Sequence, residues 1–160
     1  WIVAEIILID RLQNKIEFLR SRNKDLKVIA TNGCFDILHV GHIRYLQQAK
    51  TYGSLLVVGL NSDASVKRLK GKERPINNQS DRAEVLAALT CIDIVSIFEE
   101  DTAEHFLELI KPDAYVKGGE YNLDNLPEAV LVRKYGGENI SIPMVQGSST
   151  TNLIEKLKKN

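Results

Sequence analysis

The sequence has few cysteines, no excess of charge and no long hydrophobic run. Cys34 and Cys91 are the two cysteines among 160 residues, so no disulfide framework is available and we expect a reducing compartment, the cytoplasm. The 21 basic and 21 acidic residues balance, so no overall field attracts nucleic acid or a membrane, and we expect neither as a partner. The apolar stretch at 1–9 contains Glu5, is too short to span a bilayer and lacks the basic residues of a signal peptide.

Two widespread phosphate-binding motifs are also missing. The chain has no Gly-x-x-x-x-Gly-Lys-Ser/Thr loop and no Gly-x-Gly-x-x-Gly, which argues against a P-loop kinase and an NAD enzyme. Trp1 stands where an initiator Met is expected, so we expect a chain that was processed, trimmed or cut from something longer. The length fits one domain, which we place at 26–160, with 1–25 as an N-terminal helical segment packed on it.

Apolar runs and helical periodicity alternate along the chain. Short continuous apolar runs, typical of strands buried on both faces, predict five strands, at 28–30, 55–60, 93–98, 113–117 and 140–145. Amphipathic periodicity with caps and Gly or Pro stops predicts helices at 10–23, 41–52, 63–69, 81–89, 102–110 and 127–135, and a closing helix around 153–157. This alternation indicates an α/β fold with a five-stranded parallel sheet and right-handed crossovers.

The stretch at 31–42 reads as the end of a strand, a tight turn and the start of a helix. Gly33 can adopt backbone conformations closed to other residues and lets a ligand approach the main chain. A helix that begins near His39 places His39 and His42 on one face of its first turn. Two imidazoles beside free N–H groups suit phosphate oxygens. A zinc site is the alternative, but it needs further ligands, and the chain has no second ligand pair at metal spacing.

Three further polar segments follow predicted strands. A dense basic run ends the segment 61–74; such a run is usually a solvated face, but beside a strand end we favour a mobile loop that closes over phosphate. The Gly-Gly turn at 117–121 and the Ser/Thr-rich segment at 147–151 are, at the least, a turn and a helix cap. In parallel sheets ligands bind beyond the carboxyl ends of the strands, so we expect these segments and 31–42 to converge on one cleft.

The motifs themselves resemble a known family. Gly-x-Phe-Asp-x-x-His-x-Gly-His, from Gly33 to His42, is the signature of the cytidylyltransferase-like nucleotidylyltransferases. Thr-Asn-Gly-Cys-Phe-Asp-Ile-Leu-His at 31–39 and Val-Lys-Gly-Gly-Glu-Tyr at 116–121 are most similar to the heptose 1-phosphate adenylyltransferases. Those occur as separate enzymes or as the C-terminal half of a bifunctional heptose kinase/adenylyltransferase. The resemblance, from about Val28 to the C-terminus, implies a Rossmann-like three-layer sandwich with 26–160 as the nucleotidylyltransferase domain.

The resemblance implies a reaction as well. An oxygen of a sugar phosphate, D-glycero-β-D-manno-heptose 1-phosphate, would attack the α-phosphorus of ATP, giving ADP-heptose and pyrophosphate. Because the nucleophile is already an anion, catalysis would consist of positioning two polyanions and neutralising their charge. Mg²⁺ would accompany the nucleotide through phosphate oxygens and water, with no metal site formed by protein side chains. Members of the family often dimerise, so a homodimer is among the expectations.

The same resemblance implies residue roles. The catalytic residues would be His39, His42, Lys70 and Lys72. The nucleotide would be bound by Asn32, Gly33, Cys34, Phe35, Gly41, Lys117, Gly118, Gly119, Ser148, Ser149, Thr150 and Thr151. The acceptor would be bound by Asp36, Asn61, Asp63 and Arg82, with Arg82 gripping phosphate. For the Cys34 thiol we expect a role as small buried filler and no thiol chemistry.

Two alternatives stay open. Glycerol-phosphate enzymes of the family tend to have an Arg before a closing Gly-Ile-Ser-Thr-Thr, whereas this chain has Gln146 and no Arg there. That departure weakens a CTP-dependent cytidylyltransferase acting on glycerol 3-phosphate or another polyol or sugar phosphate. Glu120 and Ser148 stand where the heptose enzymes often have Asp and Cys, which leaves the acceptor open. A non-catalytic nucleotide-binding module would bind nucleotide without releasing pyrophosphate, and the intact motifs count against it.

Overall fold

A computed structural model describes residues 3–119, 122–144 and 149–159, and these form a parallel sheet covered by helices. The strands are β1 (Glu5–Ile6), β2 (Val28–Gly33), β3 (Leu55–Asn61), β4 (Ile94–Phe98), β5 (Ala114–Gly118) and β6 (Glu138–Ile142). The helices are α1 (Ile9–Arg22), α2 (Val40–Lys50), α3 (Asp63–Lys70), α4 (Gln79–Ala87), α5 (Glu104–Ile110), α6 (Pro127–Lys134) and α7 (Thr150–Lys158). The strand order is β1-β4-β3-β2-β5-β6, and every pairing is parallel.

Alternating side chains of the central strands build one apolar core on each face of the sheet. On one face, Ile29 of β2 belongs to a buried cluster with Leu46 of α2 and Leu86 of α4. On the other, Ala30 of β2 belongs to a cluster with residues of α1, α5 and α6, among them Phe106. Helices on both faces make three layers, so the predicted α/β class with a parallel sheet is confirmed.

The predicted number of strands, five, is wrong, because the described residues contain a sixth. Strand β1 lies at the edge and pairs with β4, with Glu5 opposite Ile94 and Ile6 opposite Val95. It has two residues, both exposed, so it shows neither the alternation nor the buried apolar run by which a strand is predicted. Only its pairing partner, far along the chain, defines it. The proposed boundary between 1–25 and 26–160 stays a prediction.

The helix predicted near the N-terminus is present as α1. Its Leu12 and Ile16 are fully buried, and they pack in the cluster that also contains Phe106 and Tyr115. Arg20 fastens the helix from outside by donating to the carbonyl oxygens of Ile110 and Lys111, each at 2.7 Å. This segment therefore packs against the same face of the sheet as α5.

The sheet reverses its strand order beside β2. The chain builds β2, β3 and β4 in one direction and then returns to place β5 on the other side of β2. The loops that leave β2 and β5 consequently diverge and open a crevice at their carboxyl ends, where doubly wound sheets bind ligands. Among the described residues, no helix is long and apolar enough to cross a membrane.

Candidate active site

A cleft of about 840 Å³ lies over the carboxyl ends of the strands. Its lining includes fifteen of the predicted site residues: Asn32, Gly33, Cys34, Phe35, Asp36, His39, His42, Asn61, Lys70, Lys117, Gly118, Gly119, Ser149, Thr150 and Thr151. Four predicted residues, Gly41, Asp63, Lys72 and Arg82, do not line it, and Ser148 lies outside the described residues. Within the described residues, the four separate segments therefore converge on one cleft, as the sequence predicted.

The cleft has two sides that differ in chemistry. We call the side above α2 and the start of α7 the histidine flank, and define it by His39, His42 and Thr150. We call the side above α5 and α6 the carboxylate flank, and define it by Asn32, Asp101, Lys117 and Glu128. The strand parity explains the division: Ala30 and Tyr115 pack toward α5 and α6, so Asn32 and Lys117, two residues later, point to the same face.

The first turn of α2 holds the two histidines in one arrangement. His39 is the N-cap, and its Nδ1 accepts a hydrogen bond from the backbone N–H of Gly41 at 3.1 Å. The Nδ1 of His42 accepts from the backbone N–H of His39 at 3.3 Å, and the ring centroids lie 4.0 Å apart. Because both Nδ1 atoms are acceptors, each neutral ring carries its proton on Nε2. The buried Nε2 of His39 has no hydrogen-bond partner among the described residues.

Burial keeps both imidazoles neutral. It lowers the pKa of His42 from its ordinary 6.5 to about 4, with a further contribution from the neighbouring His39. It also lowers the pKa of His39. Phe35 contributes to this burial, because its ring meets the edge of His42 with a centroid distance of 5.5 Å. Both imidazoles of the histidine flank are therefore neutral at neutral pH, and each carries its proton on Nε2.

The start of α7 closes the histidine flank. Ser149 is the N-cap, and its hydroxyl oxygen accepts from the backbone N–H of Asn152 at 3.0 Å. The hydroxyl of Thr150 donates to the carbonyl oxygen of Ile37 at 2.9 Å, which ties α7 to the loop after β2. Both hydroxyls thus have protein partners, and the first-turn N–H groups of α7 are what the helix adds to the cleft.

Asp36 is buried and serves as the anchor of the loop that follows α3. Its carboxylate accepts from the backbone N–H groups of Ile76 and Asn77 and, at 2.8 Å, from Nε of Arg74. Burial alone would raise the pKa of Asp36, but the donors from Asn77, Ile76 and Arg74 outweigh it and hold the pKa below its ordinary value. These contacts give no support to the predicted acceptor-binding role of Asp36, which stays a prediction.

Arg82 is buried in α4 and joins three parts of the chain. Its Nη1 donates to the carbonyl oxygens of Cys34 and Asn61 at 2.7 and 2.8 Å, so it ties the ends of β2 and β3 together. Its Nε donates to the carbonyl oxygen of Asn77, and its Nη2 donates to the carboxylate of Asp63 at 2.9 Å. The sequence suggested a phosphate grip for Arg82 and an acceptor contact for Asp63. In the structure the two side chains pair with each other outside the cleft.

The basic run near 67–74 is divided among different tasks. Arg68 is bound to the carboxylate of Asp101 at 2.6 Å, and Arg74 is bound to Asp36. Lys70, the last residue of α3, lines the cleft, whereas Lys72 is exposed and lies outside its lining. Arg74 anchors one end of the loop that follows α3 on Asp36, and the closure over phosphate that the sequence suggested stays a prediction. Of the two predicted catalytic lysines, only Lys70 is placed at the site.

Comparison with protein families assigns the segment that builds the cleft to one family. A model described as cytidylyltransferase-like matches residues 30–156, which include both flanks of the cleft. The chain belongs to the cytidylyltransferase-like family. The predicted recognition of this family is confirmed.

Relatives within the family give further similarities. The chain is 51% identical over 154 residues to the "Bifunctional protein HldE" of Geobacter metallireducens, which covers 96% of this chain and 31% of that protein. The chain thus spans about a third of the length of that relative. A solved lipopolysaccharide core biosynthesis protein from Thermoplasma volcanium is 28% identical with a TM-score of 0.61, covering 77% of this chain and 99% of that one.

A more distant structure supports the fold alone. A pantoate-beta-alanine ligase from Francisella tularensis is 13% identical, with a TM-score of 0.59 over 98% of this chain and 80% of that one. The Rossmann-like arrangement of the cytidylyltransferase-like domain is thus found in a protein of very different sequence.

Sequence reasoning missed several residues that line the cleft of this family member. They are Tyr45, Leu69, Asp101, Glu128 and Met144, and Arg74 was noted only within the basic run. Asp101 follows the end of β4, so the rule that ligands bind beyond strand ends could have identified its loop. Glu128 carried no such signal, because an acid in the first turn of a helix after Pro127 is already explained by the helix dipole.

Proposed function

We propose that this chain transfers an adenylyl group from ATP to D-glycero-β-D-manno-heptose 1-phosphate, giving ADP-heptose and pyrophosphate. The similarity to the relative named Bifunctional protein HldE and to the solved lipopolysaccharide core biosynthesis protein supports a role in making an activated sugar of this kind. The segments 31–42 and 116–121 also support it, because they are similar to the corresponding segments of heptose adenylyltransferases, with Glu120 where those often have Asp. We place the reaction in the cytoplasm.

The observation that carries the proposal is the pair of neutral histidines at the start of α2. His39, His42 and the first residues of α7 line the same cleft, so the N-terminal ends of two helices lie beside it. Imidazole N–H groups and helix N-termini suit the oxygens of a triphosphate, since their dipoles stabilise negative charge while every proton stays on the protein. We assign the β- and γ-phosphates to this flank.

In the proposed step an oxygen of the acceptor phosphate attacks the α-phosphorus of ATP in line. The bond between the α-phosphorus and the oxygen that bridges to the β-phosphorus breaks, and pyrophosphate leaves with that electron pair. The nucleophile is already an anion, so no side chain needs to act as a strong base. His39 and His42 stabilise the charge that develops on the transferred group and on the leaving pyrophosphate. Lys70 adds a positive charge over the cleft.

Magnesium enters this proposal with the nucleotide. The histidine flank contains no carboxylate among the described residues, and Asp36, which precedes it in the same loop, is already bound by Arg74 and two backbone amides. This donor set fits an ion held by phosphate oxygens and water, which is the usual state of Mg²⁺ with nucleotides. Bound in that way, the ion would neutralise charge on the phosphates.

Pyrophosphate release tests the proposal. The chain is incubated with Mg²⁺ and each pairing of ATP or CTP with heptose 1-phosphate or glycerol 3-phosphate. We expect release with ATP and the heptose. Release only with CTP and glycerol 3-phosphate would keep the site and refute the proposed substrates. Nucleotide binding without release in any pairing would refute the transferase activity and favour a binding module.

A further inference from the structure

The carboxylate flank contains a buried acidic residue to which the proposed transfer gives no task. Glu128 is the second residue of α6, is 9% exposed and lines the cleft. Its Oε1 accepts a long hydrogen bond, 3.4 Å, from the backbone N–H of Ala103 at the start of α5. Burying a carboxylate is costly unless it is satisfied, and one long hydrogen bond satisfies it poorly.

The other carboxylates of the cleft are already engaged. Asp36 is held by Arg74 and by two backbone amides. Asp101 is bound to Arg68, and its side chain is 55% exposed. Glu128 is therefore the described carboxylate best placed to bind a ligand in this cleft.

The neighbours of Glu128 complete a site for a polyhydroxyl anion. Asn32 accepts from the hydroxyl of Tyr115 at 2.5 Å through Oδ1, which keeps its Nδ2 group as a donor at the cleft. Lys117 lies on the same face of the sheet, and its pKa is lowered by burial and partly restored by the charge of Glu128. An ammonium, an amide donor and a carboxylate acceptor match a phosphate together with several hydroxyls.

In-line geometry decides which substrate lies there. The nucleophile approaches the α-phosphorus on the side opposite the leaving pyrophosphate. Because we assign the pyrophosphate to the histidine flank, the attacking phosphate and its sugar come from the carboxylate flank. A carboxylate also repels the triphosphate, and the heptose brings more hydroxyls than the ribose of ATP, so a glutamate on this side favours the acceptor sugar.

We propose that Glu128 is a specificity-determining residue that accepts hydrogen bonds from hydroxyl groups of the acceptor sugar. The inference rests on the proposed function and deepens it, since it assigns the acceptor to the carboxylate flank. It also places Lys117 beside the acceptor phosphate, whereas the sequence resemblance had assigned Lys117 to the nucleotide.

Glu128→Gln tests the proposal by steady-state kinetics. Glutamine keeps an oxygen for the N–H of Ala103 but replaces one hydroxyl acceptor by a donor. We expect the KM for heptose 1-phosphate to rise about tenfold, while the KM for ATP changes less than about twofold. Glu108→Gln, on the exposed side of α5, is the matched control and should change neither constant.

Monodeoxy analogues of the acceptor separate recognition from a merely structural role. The unaltered protein should lose about tenfold in kcat/KM on at least one analogue, and Glu128→Gln should lose less than about threefold on that same analogue. If Glu128→Gln melts at a much lower temperature, Glu128→Asp is used instead. Aspartate keeps the charge but withdraws it by one methylene. We again expect the KM for heptose 1-phosphate to rise while the KM for ATP stays nearly unchanged.

The outcomes distinguish this inference from the proposed function. If the unaltered protein releases no pyrophosphate with ATP and heptose 1-phosphate, both fall. If it is active and Glu128→Gln leaves the acceptor KM unchanged, or raises the KM for ATP by as much, only the role of Glu128 is overturned.

Discussion

The two flanks of the cleft are built in different ways. The histidine pair of the histidine flank is local: His39, Gly41 and His42 arrange one another within a single helical turn, through hydrogen bonds of 3.1 and 3.3 Å, and Thr150 alone comes from a distant segment. The carboxylate flank is assembled from residues at 32, 101, 117 and 128, which only the completed sheet brings together. The histidine pair is therefore encoded in a short motif, and the carboxylate flank in the topology. We expect substitutions on the first to affect chemistry and those on the second to affect substrate choice.

Replacement of His42 should have the largest effect. His42→Ala removes one Nε2–H donor, and we expect kcat to fall by about 10²- to 10³-fold, the usual loss for a donor that stabilises a transition state. The measurement is pyrophosphate release at saturating ATP and heptose 1-phosphate. The KM for the acceptor should change little, because that substrate is assigned to the opposite flank.

A second variant separates this chemical role from a structural one. His42→Asn retains an acceptor near the position of Nδ1 for the backbone N–H of His39 but has no donor at the position of Nε2. It should lose as much turnover as His42→Ala while melting close to the unaltered protein. Recovery of activity in His42→Asn, or loss of activity only through unfolding, would make His42 a helix-capping residue alone.

The two lysines of the basic run should differ in effect. Lys70 lines the cleft at the end of α3, so Lys70→Ala should lower kcat/KM by about ten- to a hundredfold. Lys72 is exposed outside the lining, so Lys72→Ala is the natural control, with a change below about threefold. Equal losses in both variants, measured under the same conditions, would show that the loop after α3 moves to bring Lys72 to the substrate.

Arg82→Lys should chiefly lower stability. The guanidinium donates four hydrogen bonds and is 2% exposed, and lysine cannot reproduce that planar set of donors. We expect the free energy of unfolding to fall by about 3 kcal/mol in urea titrations. Arg44→Lys, an exposed arginine on α2, should change it by less than about 0.5 kcal/mol. Unchanged stability with a raised KM for the acceptor would restore the phosphate-binding role.

The sequence predicted the parts of the site that depend on local rules. The spacing of His39 and His42 and the apolar runs of the central strands suffice to place the histidine flank at a strand-to-helix turn. The task of Arg82 could not be predicted in that way. Whether its guanidinium meets phosphate or protein depends on the carbonyl groups of residues 34, 61 and 77, which the fold brings to it. Strand β1 and Glu128 escaped prediction for the same reason, since their partners lie in distant segments.

The smallest expected effect is that of pH on activity. His42 has a pKa of about 4 in the folded protein, so it is neutral throughout the neutral range. If neutral Nε2–H groups do the work, the profile of kcat at saturating substrates should show no inflection from His42 between about pH 8 and about pH 5. A decline with an apparent pKa near 6 to 7 that the titration of the substrate phosphates, near pH 6, does not account for would instead indicate that an imidazole acts as a base. That result would contradict the view that the histidine flank donates hydrogen bonds without giving up or taking up a proton.

Stability should respond to pH where activity does not. The pKa of His42 is about 4 when folded and about 6.5 when unfolded, so the unfolded chain takes up the proton first as the pH falls. The free energy of unfolding should therefore be fully retained above about pH 6.5, decrease as the pH falls toward 4, and lose nothing more from this residue below that. Urea titrations across this range should show a shallower decrease for His42→Asn, because that variant lacks the titrating ring. Equal slopes in the two proteins would mean that His42 is as solvated when folded as when unfolded, which contradicts its packing against Phe35 and His39.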